Sequence, residues 1–95
     1  MTLDVSDTAM PEEQVRSAVI GALKNRIIEI DIKLDDLNQN LEYFQRKYNL
    51  ESENFYQQFC SGSLDDEMDF LEWKASWEIY QELILEKKAL LEALG

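Results

Sequence analysis

The sequence predicts an all-α protein: an antiparallel hairpin of two long helices with a short connecting helix, coiled-coil-like, completing a four-helix bundle as a homodimer. Three observations predict it. Apolar residues at Ile20, Leu23, Ile27, Ile30, Leu34, Leu37, Leu41, Phe44 and Tyr48 step by three and four without a miss, the seam of a helix that lies along another. A second seam, Phe70, Trp73, Trp77, Tyr80, Ile84, Leu91 and Leu94, keeps the same steps except that Lys87 stands at one apolar position. Ile28 and Ile32 beside the first seam, and Leu71, Ile79, Leu83 and Leu90 beside the second, widen both faces beyond what a two-helix contact covers. A second copy or another partner is expected to bury them.

Residues 1–10 hold small and polar residues with no sustained period, and read as a flexible lead-in to a single domain over residues 11–95. Pro11 opens the first helix, where its missing N–H is not needed, and Glu12 and Glu13 suit the positive end of the helix dipole. Val15, Ala18, Val19 and Ala22 lead into the seam, and Gly21 is a soft spot that marks a bend or a close approach of another backbone. The helix is expected to run to about Lys47, whose charge, with that of Arg46, complements the dipole.

Asn49 suits the left-handed residue that ends a helix. Ser52 is the expected N-cap of a short helix over Glu53–Cys60, with Gly62 as its terminator. Phe55 and Phe59, four apart, fall on one side of that helix and can plug the end of a bundle. Ser63 or Asp65 is the expected cap of the third helix, with Asp65, Asp66, Glu67 and Asp69 loading its first turn. The spans Ile20–Tyr48 and Asp66–Leu94 match in length at about 42 Å each, and a short connection makes them antiparallel neighbours.

Composition narrows the function. The 95 residues include no histidine and one cysteine, Cys60, so an internal disulfide is excluded and the commonest general base and zinc ligand are missing. Cys60 reads as a small buried apolar residue rather than a catalytic thiol. The opening MTLDVSDTAM carries two acids and no base, unlike a signal peptide, and no apolar run approaches the ~20 residues of a membrane span. A cytoplasmic protein without membrane contact is expected.

The net charge is −11, and it is unevenly spread. Five acids meet five bases between Ile20 and Tyr48, whereas ten acids meet only Lys74 between Glu51 and Glu86. Such a surface repels a phosphate backbone, so direct nucleic-acid binding is not expected, and it attracts a basic protein. The plain alternative is that the acids serve solubility. Glu78, Glu82 and Glu86 repeat every four residues, where like charges repel. That repeat, with Asp65 and Asp66, is the expected contact for a basic protein partner. Trp73 and Trp77 are either core residues or aromatic anchors of the same interface.

No catalytic, cofactor-binding or metal-ligating residue is assigned. The cluster Asp65, Asp66, Glu67, Asp69, Glu72 lacks the alternating ligands and central glycine of a calcium loop, and helix capping accounts for most of it. The rival from another class is an all-α, magnesium-dependent nucleotide pyrophosphatase of the MazG kind, which uses Glu-x-x-Glu and Glu-x-x-Asp pairs on bundle helices. Asp69 and Glu72 have that spacing in reverse order, and the first helix offers no matching pair among Glu29, Asp31, Asp35, Asp36 and Glu42.

The run from Tyr48-Asn49-Leu50 through Phe55, Phe59, Gly62 and Asp69-Phe70-Leu71-Glu72-Trp73 to Tyr80 resembles a pattern in small acidic helical proteins of bacteria and archaea. Those proteins are similar to the antitoxin-like member of two-gene toxin–antitoxin cassettes. The resemblance covers about a third of the chain. It implies a non-enzymatic antitoxin-like or adaptor role and no catalytic residue.

Overall fold

Pro11 takes an extended conformation, and its carbonyl accepts the N–H groups of Gln14 and Val15 at 3.0 and 3.2 Å, starting helix α1 over Glu12–Tyr48. The computed structural model describes residues 11–95. The lead-in expected over residues 1–10 lies outside the described residues. Two further helices, α2 (Ser52–Cys60) and α3 (Met68–Leu94), complete an all-helical chain with no strand among the described residues. The long α1 packs along α3, and α2 fills the corner between them.

Both corners end in left-handed residues. Asn49 has φ 50°, and the N–H of Leu50 donates to the Gln45 carbonyl at 3.1 Å. Gly62 has φ 80°, and the N–H groups of Gly62 and Ser63 donate back to the carbonyls of Phe59 and Gln58 at 3.1 and 3.0 Å. This paired return is the Schellman ending, which satisfies carbonyls the helix leaves open. At Gly21, by contrast, α1 runs on without a break, and an added Cβ would meet nothing within 4 Å.

The core gathers at the corner on Trp73. Leu41, Phe44, Phe55 and Trp73 are its buried centre, with Tyr48, Tyr56, Phe59, Phe70 and Trp77 packed around them. Phe55 stacks on Trp73 with centroids 3.8 Å apart and planes 3° apart, while Phe44 and Tyr48 stack on it at 5.7 and 5.8 Å. Aromatic side chains bring the largest apolar area per residue, so a helix of nine residues can close this end.

A chain of hydrogen bonds joins the three helices there. The Trp73 indole N–H donates to Ser52 Oγ at 2.9 Å, and the Ser52 backbone N–H donates to Gln45 Oε1 at 2.9 Å. Ser52 is therefore not the N-cap; Glu51 is, and makes no side-chain cap bond. The buried indole would lose a partner if the serine turned to its own helix, and an unpaired buried donor costs more than an unmade cap.

Polar contacts link α1 to α3. Lys47 meets Asp69, Asn40 Nδ2 donates to Ser76 Oγ at 2.8 Å, Lys87 meets Asp31 at 2.7 Å, and Arg26 meets Glu86 at 2.7 Å. Along the first seam Ile30, Leu37, Leu41 and Phe44 are buried, and Leu23, Ile27, Leu34 and Tyr48 half-buried. Ile20 is exposed because α3 ends at about its level.

The second seam needs correction. Trp73 is buried, Phe70, Trp77, Tyr80, Ile84 and Leu94 are half-buried, but Leu91 is 50% exposed. Ser76, drawn inward by Asn40, is buried instead, and with Leu83 and Leu90 half-buried the contact line turns toward their side of α3. The start of α3 is also later than expected. Glu67 precedes its first turn, so Asp65 and Asp66 lie outside the helix and only Asp69 loads that turn. The segment before it must cross from α2 to α3 while Leu64 packs on the core, and it cannot do so coiled. Cys60 is exposed, not buried, because it lies one position beyond Phe59, off the face that α2 turns inward.

Candidate protein interface

The acidic half of the chain divides into acids that the fold uses and acids that it leaves outward. Glu86 accepts from Arg26 Nε and Nη2 at 2.7 and 3.0 Å, a two-pronged pair of the kind a guanidinium favours. Glu78 accepts from the Tyr56 hydroxyl at 2.8 Å and from Lys74 Nζ at 3.1 Å. Asp69 accepts from Lys47 Nζ and the Tyr48 hydroxyl. Glu51, Glu53, Asp65, Asp66, Glu67, Glu72 and Glu82 are exposed and take no cation among the described residues.

This alters the expected contact set. Asp65, Asp66 and Glu82 remain accessible, but Glu78 and Glu86 tie α3 to α2 and α1 respectively. The repulsion expected along the Glu78, Glu82, Glu86 repeat is thus relieved within the chain, by partners that lie 22 and 60 residues away in sequence. Trp73, at 0% exposure, has no surface to offer and is core alone. Trp77 is half-buried and stacks on Tyr80 with centroids 5.9 Å apart and planes 10° apart.

Tyr56, Gln81 and Glu53 join this surface without having been singled out from the sequence. Tyr56, Trp77, Glu78, Gln81 and Glu82 line a cleft of about 320 Å³ between α2 and α3. A second hollow shares Tyr56, Trp77 and Gln81 and adds Glu53. The signal for Tyr56 was present: if Phe55 and Phe59 face the core, the residue after Phe55 lies at the margin of that face.

Hydrogen bonds keep the structural acids ionised. Glu86 is held below the ordinary carboxylate range by Arg26, Glu78 by Tyr56 and then Lys74, and Asp69 by Lys47 and then Tyr48. The same bond to Glu78 pushes the Tyr56 hydroxyl up to about 12. Each carboxyl binds its proton more weakly folded than unfolded. The stability it contributes is fully present above the ordinary range, ~3.9 for Asp and ~4.3 for Glu, and is lost as pH falls through the lowered folded value.

The thermal midpoint should therefore lose this contribution as pH falls from the ordinary carboxylate range through the lowered folded values, and lose less of it in Glu86→Gln. The difference between parent and variant is the quantity to read. Superimposable pH profiles would show that the Arg26–Glu86 bond adds nothing.

Among the described residues no group of three or more carboxylate, cysteine or histidine side chains is placed to hold a metal ion. Asp69, half of the pair that the pyrophosphatase reading would need, is engaged by Lys47 and Tyr48. No helix among the described residues is long and apolar enough to cross a membrane. Comparison with known proteins gives no match, whether to a protein-family model, a curated protein or a solved structure.

Proposed function

We propose that this chain is a non-enzymatic protein–protein interaction module, antitoxin-like or adaptor in role, which binds a basic protein through its acidic α2–α3 end. The observation that carries this reading is the set of seven outward carboxylates without a cation, most of them on α2, the segment after it and the first turns of α3. A field of one sign steers an oppositely charged protein and raises its association rate, more so at low salt.

The module is an antiparallel hairpin, and a second copy closes it into a four-helix bundle. Its accessible surface is 7190 Å², where a globular monomer of this mass exposes about 5,700 Å². Its radius of gyration is 19.5 Å, against about 12 Å for a compact chain of this length. Ile28, Ile32 and Ile79 are exposed in the single chain.

Two measurements on one tagged protein test the reading. Sedimentation over a hundredfold range of concentration should pass from monomer to dimer, with the melting midpoint rising alongside. A basic protein recovered from the native cells on the parent should be lost from Asp65→Asn/Asp66→Asn/Glu82→Gln, whose changes touch no intramolecular pair. A monomer throughout would remove the dimer, and equal recovery on parent and variant would remove the acidic contact.

A further inference from the structure

The α2–α3 cleft combines two features. Carboxylates rim it at Glu78 and Glu82, Glu53 stands in the adjoining hollow, and its wall is aromatic, made by Tyr56 and Trp77. Trp77 is braced by its stack on Tyr80, so the ring face is held in one orientation rather than left to rotate. Lys74 is tied to Glu78 Oε1, and the Tyr56 hydroxyl holds Oε2, which leaves Glu53 and Glu82 as uncompensated charge.

We infer that this cleft seats an arginine side chain of the basic partner, its guanidinium lying against Trp77 and its N–H groups directed at Glu82 and the Gln81 carbonyl. The inference rests on the proposed function and names where on the acidic end the partner is anchored. A cation beside an aromatic face gains from the ring quadrupole, and more so when water is displaced. A planar guanidinium presents a flat face and a fork of donors together, whereas an ammonium is a compact, strongly hydrated charge without a face to stack. An anionic or phosphate-bearing ligand would meet the three carboxylates and be repelled.

The chain contains two tryptophans, and they give the test an internal control. The Trp73 indole N–H is buried against Ser52, while Trp77 lines the cleft. The 15N-labelled full chain is titrated at low salt with acetyl-Arg-Arg-Arg-amide, with the citrulline peptide of equal length, with tri-lysine and with spermidine. Saturable shifts of the Trp77 indole and the Gln81 side-chain amide are expected with tri-arginine, with Trp73 unmoved and the citrulline peptide silent. Trp77→Leu should weaken the peptide about tenfold and Glu82→Gln about threefold. Glu82 is exposed and makes no internal bond among the described residues, so that variant reports on binding even if Trp77→Leu folds poorly.

Equal shifts with tri-lysine or spermidine would overturn the arginine seat. Shifts confined to the amides around Asp65 and Asp66, with Trp77 still, would overturn the seat while leaving the acidic contact standing. If no resonance moves with any of the cations, the seat and the acidic contact fall together.

Discussion

Trp73→Ala is expected to destabilise the protein by about 3–5 kcal/mol, the range seen when a large buried aromatic is cut to a methyl. A chain of this length has about 5–14 kcal/mol in total, so little would remain. The loss has three parts at this position. The stacks on Phe55, Phe44 and Tyr48 go together, a cavity opens where all three helices meet, and the Ser52 hydroxyl loses its donor. Trp73→Phe retains a ring for Phe55 to lie against and removes the N–H, so it should cost much less, about 1–2 kcal/mol. Urea unfolding followed by circular dichroism measures both. A midpoint for Trp73→Ala close to that of the parent would mean that the corner is not organised on this side chain.

Ile30→Asp should cost several kcal/mol and remove most of the helical signal. Ile30 has 0% exposure, and a carboxylate there must either lose its hydration or push α1 from α3. Relief is poor, since the neighbouring cation Arg26 is already committed to Glu86 and a new acid would compete with it. Ile32→Asp is the matched control: the residue is 61% exposed in the single chain, and its change should leave monomer helicity intact. Equal melting of Ile30→Asp and the parent would refute the packing of the first seam.

These two positions were unequally legible. The seam on α1 could be read because its period is written in one residue type after another, and a helix with that period has only one apolar side to turn inward. Ile30, Leu37, Leu41 and Phe44 all came from it. Trp73 was placed on the seam, yet the choice between core and interface depends on α2 folding over it, and nothing in the local spacing of α3 contains Phe55. Ser52 was misread for the same reason. A serine ahead of a helix has a cap available from its own neighbours, and the competing indole arrives from 21 residues away.

The acids show the limit from the other side. Spacing alone makes Glu78, Glu82 and Glu86 equivalent, but Tyr56 and Arg26 reach only the first and last. Of the set expected to meet a partner, the structure leaves Asp65, Asp66 and Glu82 free for that use. The departure on α3 is subtler. Leu91 fits the period as well as Leu90 does, yet Leu91 is exposed and Leu90 half-buried, while Ser76, bonded to Asn40, is buried.

The uneven placing of aromatic and ionic contacts along the pair gives the molecule the mechanics of tweezers. At the bend, stacked rings and the Gln45–Ser52–Trp73 chain resist opening, and added salt scarcely weakens contacts of that kind. Toward the tips the buried Ile30 and its half-buried neighbours are joined by Arg26–Glu86 and Asp31–Lys87, beyond which Ile20 and Leu91 are already in contact with water. Ions in solution screen those two bridges directly. Ionic strength therefore acts on the two bridges near the tips and scarcely on the stacked rings at the bend.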